Sequence, residues 1–208
     1  LLNEVVKDRR EWLGEQKQWK AVHRQRLKKL LAWNGGPDAP APDERAAFDA
    51  ACAIGLIVLE ANGPFSVMPH LNEPHFPIDA DFIEELDWSF LSGGRRIDVV
   101  DGINGQCCLI VSFRDTNSQR VIHETLQRAA SHVVKQYADA RRAALAAVFT
   151  GSFGSKPLSK MYREACKALR YKWFFGKSAV ADISGITRNF DRPAPQTAEL
   201  DLELRTIS

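Results

Sequence analysis

The first part of the chain spaces hydrophobic residues at helical intervals among basic ones. Four apolar residues lie on a seven-residue spacing, with Arg26 at the position they leave open: Val5, Trp12, Trp19 and Trp33. No proline interrupts residues 3–33, and the helix-breaking sequence NGGPDAPAP follows directly. Beyond Glu15 this segment contains no acidic residue. The pattern predicts a long basic amphipathic helix, a separate element over residues 1–34.

A second apolar segment, AAFDAACAIGLIVLEA at residues 46–61, follows a Gly/Pro-rich linker at residues 35–42. Asp43 is a suitable N-cap, so we expect a buried helix that starts near Pro42 and ends at NGPF. Residues 63–94 contain four prolines. They predict mostly irregular structure, with a short acidic helix near residues 80–90.

The clearest β signal is RRIDVVDGINGQCCLIVSFRD. Two runs rich in β-branched and apolar residues, 97–100 and 107–113, flank DGINGQ, whose composition is typical of a turn. This pattern predicts an antiparallel hairpin.

The rest of the chain alternates helical and extended patterns. Apolar residues at the 3.6-residue period predict a helix from Asn117 or Ser118 to about Phe149. A basic helix at about 157–175 follows, with one apolar face that includes Leu158, Met161 and Leu169. A short strand is expected at 179–183. The strict alternation in ELDLELRTI, residues 199–207, predicts a half-buried strand at a sheet edge or on a partner.

These elements predict an α+β fold that is mostly helical. Its small antiparallel sheet would consist of the hairpin at about 95–113 plus a C-terminal strand, with the long basic N-terminal helix as an appendage. A chain of 208 residues can bury a sizeable core without disulfides. We therefore expect a single α+β domain over residues 43–208.

The net charge of +2 conceals a segregated distribution. Residues 1–33 hold nine Lys/Arg and four Asp/Glu, and residues 156–177 hold seven and one. Residues 38–101 hold thirteen Asp/Glu and three arginines. Two cationic elements thus flank an acidic middle. The basic faces would meet either an external polyanion or the acidic middle of this or another subunit.

A helix with one apolar stripe and a cationic opposite face suits contact with a phosphate backbone, because each cation that neutralises a phosphate releases a counterion. The sequence therefore predicts a nucleic-acid-associated binding protein, or a subunit of a nucleoprotein assembly, without base-specific readout. The predicted phosphate contacts are Lys17, Lys20, Arg24, Lys28, Lys160, Arg163, Lys167, Arg170, Lys172 and Lys177. Phe174, in the run WFF, is the candidate for stacking on a base.

Signals for an enzyme are weak throughout, and we predict no catalytic residue, metal or cofactor. His70, Glu73 and His75 lie in a proline-rich loop that lacks the helical spacing of a zinc site. Asp98 and Asp101 are interpreted as outward-facing strand acids. An enzyme with an anion or metal site in loops 68–79 or 151–156 remains the third hypothesis, since GSFGSK precedes a helix start.

The composition also restricts the setting. No apolar run is long enough for a transmembrane helix, and the polar, basic start does not resemble a signal peptide. Four cysteines without metal-type spacing are typical of a reducing compartment, so we expect a cytoplasmic, prokaryotic protein without membrane contact. The alternative to nucleic-acid binding is a protein-interaction subunit, which docks through its Trp-bearing helix and C-terminal strand.

Overall fold

The computed structural model describes residues 18–32, 51, 53–62, 78–91, 96–101, 105–114, 118–141, 143–153, 158–170 and 179–183. Residues 18–32 are helical and are named α1. The further elements are β1 (Ala53–Asn62), α2 (Ala80–Glu84), β2 (Arg96–Asp101), β3 (Cys107–Phe113), α3 (Gln119–Arg141), β4 (Ala144–Phe153), α4 (Leu158–Leu169) and β5 (Val180–Asp182).

The five strands form one mixed sheet in the order β2-β3-β1-β4-β5. Strand β1 lies at its centre, antiparallel to both β3 and β4. The predicted hairpin of β2 and β3 is confirmed as an antiparallel pair. Strand β5 runs parallel to β4, which makes the sheet mixed.

The prediction of a mostly helical fold with a small antiparallel sheet is wrong. Residues 53–62, expected to be helical, form the central strand. A strand buried on both faces shows a continuous apolar run, which periodicity cannot distinguish from a buried helix. The helix expected to reach Phe149 ends at Arg141, and the rest of that segment forms β4. In the Ala-rich start of β4, pairing with β1 overrides the helical preference of alanine.

Helices cover both faces of the sheet. On one face α2 and α3 pack against the side chains of Ile57, Leu109 and Phe149. On the other, α1 and α4 pack against Leu56, Val58 and Ile110. Alternate residues of β1 and β3 thus enter opposite cores. The result is a sheet enclosed between two helical layers.

The proposed division into residues 1–34 and 43–208 stays a prediction, because the linker lies outside the described residues. Within the described part, α1 contributes Leu27, Leu30 and Leu31 to the same core as α4. The expected strand at 199–207 also lies outside that part. None of the helices in the described ranges is long and apolar enough to cross a bilayer.

Two paired glycines set the distance between α3 and the sheet. Gly55 of β1 lies opposite Gly151 of β4. A Cβ atom added at Gly55 would lie 2.4 Å from Leu126 Cδ2, and one at Gly151 would lie 2.4 Å from Ile122 Cγ2. Both facing side chains are fully buried. Helix α3 can therefore approach the sheet only where these strands have no side chains.

We expect Gly55→Ala to lower the free energy of unfolding by about 1–3 kcal/mol, because the added methyl overpacks the contact with Leu126. Leu126→Ala alone should cost about 2–5 kcal/mol through the cavity it leaves. The double variant should be less destabilised than the two effects added together, since the alanine side chain leaves room for the new methyl. Urea unfolding of the four proteins measures this coupling, and additive losses would contradict the close approach.

Two adjacent cysteines lie on β3 and face opposite cores. Cys107 contacts the α2/α3 side and Cys108 the α1/α4 side, and both are fully buried. Burial, aided by the Asp101 carboxylate, raises the pKa of the Cys107 thiol to about 12. Burial likewise raises the pKa of Cys108 well above its ordinary value. Both thiols therefore stay neutral in the folded protein at physiological pH.

The Cys107 thiol makes stability depend on alkaline pH. Between the ordinary thiol pKa of 9.0 and about 12, the unfolded chain loses this proton while the folded chain keeps it. The free energy of unfolding should therefore fall as pH rises through this range. Between neutral and alkaline pH, the free energy of unfolding of Cys107→Ala should fall less than that of the wild type. Urea midpoints at about pH 8 and pH 10.5 test this, and equal losses would exclude the contribution.

Candidate nucleic-acid interface

The structure places the predicted phosphate contacts in two groups. Lys20, Arg24 and Lys28 lie on α1, and a second set lies on or next to α4: Lys160, Arg163, Lys167 and Arg170. Lys17, Lys172, Phe174 and Lys177 lie outside the described residues. The two groups differ in what their charges contact.

The α1 group binds the acidic middle of its own chain. Lys20 Nζ lies 3.6 Å from Glu84 Oε2, and Lys28 Nζ lies 2.8 Å from Asp101 Oδ2. Arg24 Nη2 contacts Glu84 Oε1 at 2.8 Å and Asp81 Oδ1 at 3.0 Å. Residues 20, 24 and 28 follow each other at four-residue intervals, so one side of α1 faces these carboxylates. Their charge is already compensated.

Arg24 is the most enclosed of these cations. Its hydrogen bond to Glu84, supported by Asp81, raises the pKa of the guanidinium against the opposing effect of burial. Its Nε is buried without a hydrogen-bond partner, while Nη2 serves both carboxylates. Arg24 thus links α1 to α2 through its ion pairs with Asp81 and Glu84.

The α4 group faces outward. Lys160, Arg163, Lys167 and Arg170 are exposed, at spacings of three and four residues that align them along one side of the helix. The opposite side is buried, and its core residues are Leu158, Met161, Tyr162, Ala165, Ala168 and Leu169. Within the described part of the chain, Lys160, Lys167 and Arg170 form no ion pair. In the described part of the chain these three charges are therefore exposed and unpaired.

Two cations that the sequence prediction left out belong with this group. Arg26 and Lys29 are exposed on α1, and neither pairs with an acid among the described residues. Helical spacing relative to Leu27, Leu30 and Leu31, which are buried, could have shown that these two cations lie on a different side of α1 from Lys20, Arg24 and Lys28. We name Arg26, Lys29, Lys160, Lys167 and Arg170 the cationic face. Because α1 and α4 pack on the same side of the sheet, both contribute to one side of the molecule.

Next to the paired cations, α1 and β2 enclose a polar cluster. Asp98 Oδ1 accepts hydrogen bonds from Arg96 Nε and Nη2 at 3.0 and 2.8 Å, and lies 3.2 Å from His23 Nε2. Its side chain is only 11% exposed, so the interpretation of Asp98 as an outward-facing acid is wrong. Asp101, more exposed, is the acid that binds Lys28. The cluster joins β2 to α1 through charge-assisted contacts.

This cluster borders a cleft of about 230 Å³. Trp19 and Trp88 are its aromatic walls, and its polar lining includes His23, Arg24, Glu84 and Asp98. The Trp19 ring stacks on the His23 ring, with centroids 5.1 Å apart and planes within 5°. Arg96 lies 5.9 Å from the centre of the same indole. We name this site the tryptophan cleft.

The loops of the third hypothesis are only partly described. Asp79 caps α2 and pairs with Arg141, so its carboxylate is already bound. Gly151 lies under α3 as part of β4. Residues 68–77 and 154–157 lie outside the described part. Among the residues described, no group of three or more His, Cys, Asp or Glu could hold a metal ion.

A matched pair of substitutions tests whether the α1 pairs stabilise the fold. We expect Arg24→Met to lower the free energy of unfolding by about 1–3 kcal/mol, because Glu84 and Asp81 lose their enclosed partner. Lys28→Met should cost less than about 1 kcal/mol, since the Lys28–Asp101 pair is half exposed. Urea unfolding at low salt measures both, and equal losses would contradict the special role of Arg24.

No model of a known protein family matches this chain, and no curated protein is significantly similar to it. The case for its function rests on the cationic face and the tryptophan cleft.

Proposed function

We propose that this protein binds the phosphate backbone of nucleic acid through the cationic face, without base-specific readout, alone or as a subunit of a nucleoprotein assembly. The observation that supports this most is the division of the basic residues into two sets. One set is paired with acids of the chain, and the other is exposed and forms no ion pair among the described residues. The described structure therefore presents a row of unpaired cations.

The spacing of the cations suits an extended polyanion. Residues 160 to 170 cover about 15 Å along the helix axis at the usual helical rise. Lys160, Lys167 and Arg170 follow this line, and Arg26 and Lys29 add charge from α1. A row of cations over such a length neutralises several phosphates at once, and each contact releases a counterion. A small anion would need only one of them.

The scaffold favours a fixed arrangement of these charges. Both helices bury a leucine-rich side against the same sheet, so each outward side chain starts from a backbone held by the core. Binding then costs mainly the rotamer freedom of the lysine and arginine side chains. No carboxylate among the described residues holds these cations, whereas Lys20, Arg24 and Lys28 would first have to leave theirs.

An acidic protein surface is the alternative partner of the same charges. Trp19 and Val22 are 60% and 46% exposed on α1, as a docking helix would require. Nucleic acid is favoured because the uncompensated cations also occupy α4, away from those apolar residues. Oligonucleotide binding measured at two salt concentrations distinguishes nucleic acid from a protein partner.

We expect the wild type to bind a duplex oligonucleotide at low salt and to lose affinity steeply as salt rises. Lys167→Glu combined with Arg170→Glu should weaken binding and lower the slope of log K against log salt by about 0.9 per lost phosphate contact. Arg26→Glu combined with Lys29→Glu should act in the same direction. Fluorescence anisotropy at about 50 and 200 mM salt measures affinity and slope together.

The matched control is Arg128→Glu combined with Lys135→Glu. Both residues are exposed on α3, in the opposite helical layer, and this pair changes the net charge as much as each test pair. We expect a clearly smaller loss of affinity from the control. Equal losses would show that only net charge matters. Absence of binding to duplex and single strand at low salt would exclude nucleic acid and favour the protein partner.

A further inference from the structure

The tryptophan cleft opens beside Trp19, on the same helix that supplies Arg26 and Lys29 to the cationic face. Trp19 is a large apolar residue, yet it is 60% exposed. Val22, one turn further along α1, is also exposed. Exposed aromatic surface beside uncompensated cations is the combination with which proteins hold unpaired bases.

The Trp19 ring is held in place from one side. His23 stacks parallel to it at 5.1 Å, and Arg96 Nη2 lies 2.9 Å from His23 Nε2, at the edge of that imidazole. His23 thus covers part of one face of the indole, and Trp19 as a whole stays 60% exposed. A ring fixed in this way loses little conformational entropy when a second ring stacks on it.

The lining of the cleft suits a planar ring. Its charged residues are already paired, Lys20 and Arg24 with Glu84 and Asp98 with Arg96, so a ligand would contact mainly the aromatic walls. Trp88 provides a second aromatic wall, and its position is fixed by a hydrogen bond from Nε1 to the Ile83 carbonyl at 3.2 Å. A volume of about 230 Å³ is smaller than that of pockets for drug-sized ligands. The cleft is therefore of a size that suits a small ligand such as one ring system.

We propose that an unpaired base of a single-stranded nucleic acid stacks on Trp19 in the tryptophan cleft, while Arg26 and Lys29 contact phosphates of the same strand. This inference rests on the proposed function and specifies the form of nucleic acid that the protein prefers. Arg26 lies about 10 Å along the helix from Trp19, so neighbouring nucleotides of one strand reach both. Because every base has a π-face, stacking of this kind tolerates any sequence.

Trp19→Ala in the full-length chain tests this inference. We expect its affinity for oligothymidylate and oligouridylate to fall by about fivefold to a hundredfold at constant salt, while its affinity for a duplex of equal length changes less than about twofold. Trp19→Phe should retain most of the single-strand affinity, because a phenyl ring still stacks. Val22→Ala, on the same exposed side, is the matched control and should bind like the wild type.

Fluorescence gives a second readout that does not depend on the alanine variant. Stacking of a base on Trp19 should quench the emission of the wild type, and Trp19→Phe should remove that part of the quenching. Equal losses for single strand and duplex in Trp19→Ala, or no loss in either, would overturn the stacking site. If the stacking site were overturned but the charge-reversal pairs on α1 and α4 still abolished binding, the proposed function would stand. Absence of any binding at low salt would overturn both.

Discussion

The structure depends on the burial of strand β1 on both of its faces. Leu56 and Val58 point into one core, and Ile57 and Leu59 into the other, all without solvent exposure. A strand that is apolar on both sides must be covered twice, so helices are needed above and below the sheet. Helix α3 meets one face at closest range over Gly55 and Gly151. Helices α1 and α4 share the other face, which brings their outward cations to one side of the molecule.

The same packing determines which charged side chains form ion pairs within the chain. Helix α1 lies where its Lys20/Arg24/Lys28 side runs along α2 and the edge strand β2, both of which carry acids. These pairs engage three carboxylates, Asp81, Glu84 and Asp101, and a fourth, Asp98, pairs with Arg96 and contacts His23. The net charge of +2 is therefore a poor guide to the surface, because these acids are paired with cations of α1 and β2. Among the described residues, exposed cations without an ion pair lie on α1 and α4, and also on α3, where Arg128 and Lys135 are exposed.

The sequence predicted the elements that are marked by turn residues or by a one-sided apolar face. Turn residues indicated the hairpin of β2 and β3, and it is confirmed although β3 is buried throughout. The apolar side of α4 is also confirmed: Leu158, Met161, Tyr162, Ala165 and Leu169 are buried. Strand β1 was mistaken for a helix because its run AIGLIVLEA has no polar side. Strand β4 was missed because ALAAVF continues the composition of α3, and only pairing with β1 marks it as extended.

The candidate site was partly predictable for a similar reason. Periodicity shows which cations lie on a helix surface, but it cannot show that Arg24 meets Glu84 sixty positions away. The sequence analysis placed Arg26 in line with the apolar residues spaced seven apart. The buried residues of α1 in the structure are instead Leu27, Leu30 and Leu31. The seven-residue spacing predicted that Trp19 belongs to the apolar stripe of this helix, and the structure leaves it 60% exposed. Hence the leucines hold α1 to the sheet without help from Trp19. This exposed indole, stacked on His23, is the observation on which the proposed contact of Trp19 with a base rests.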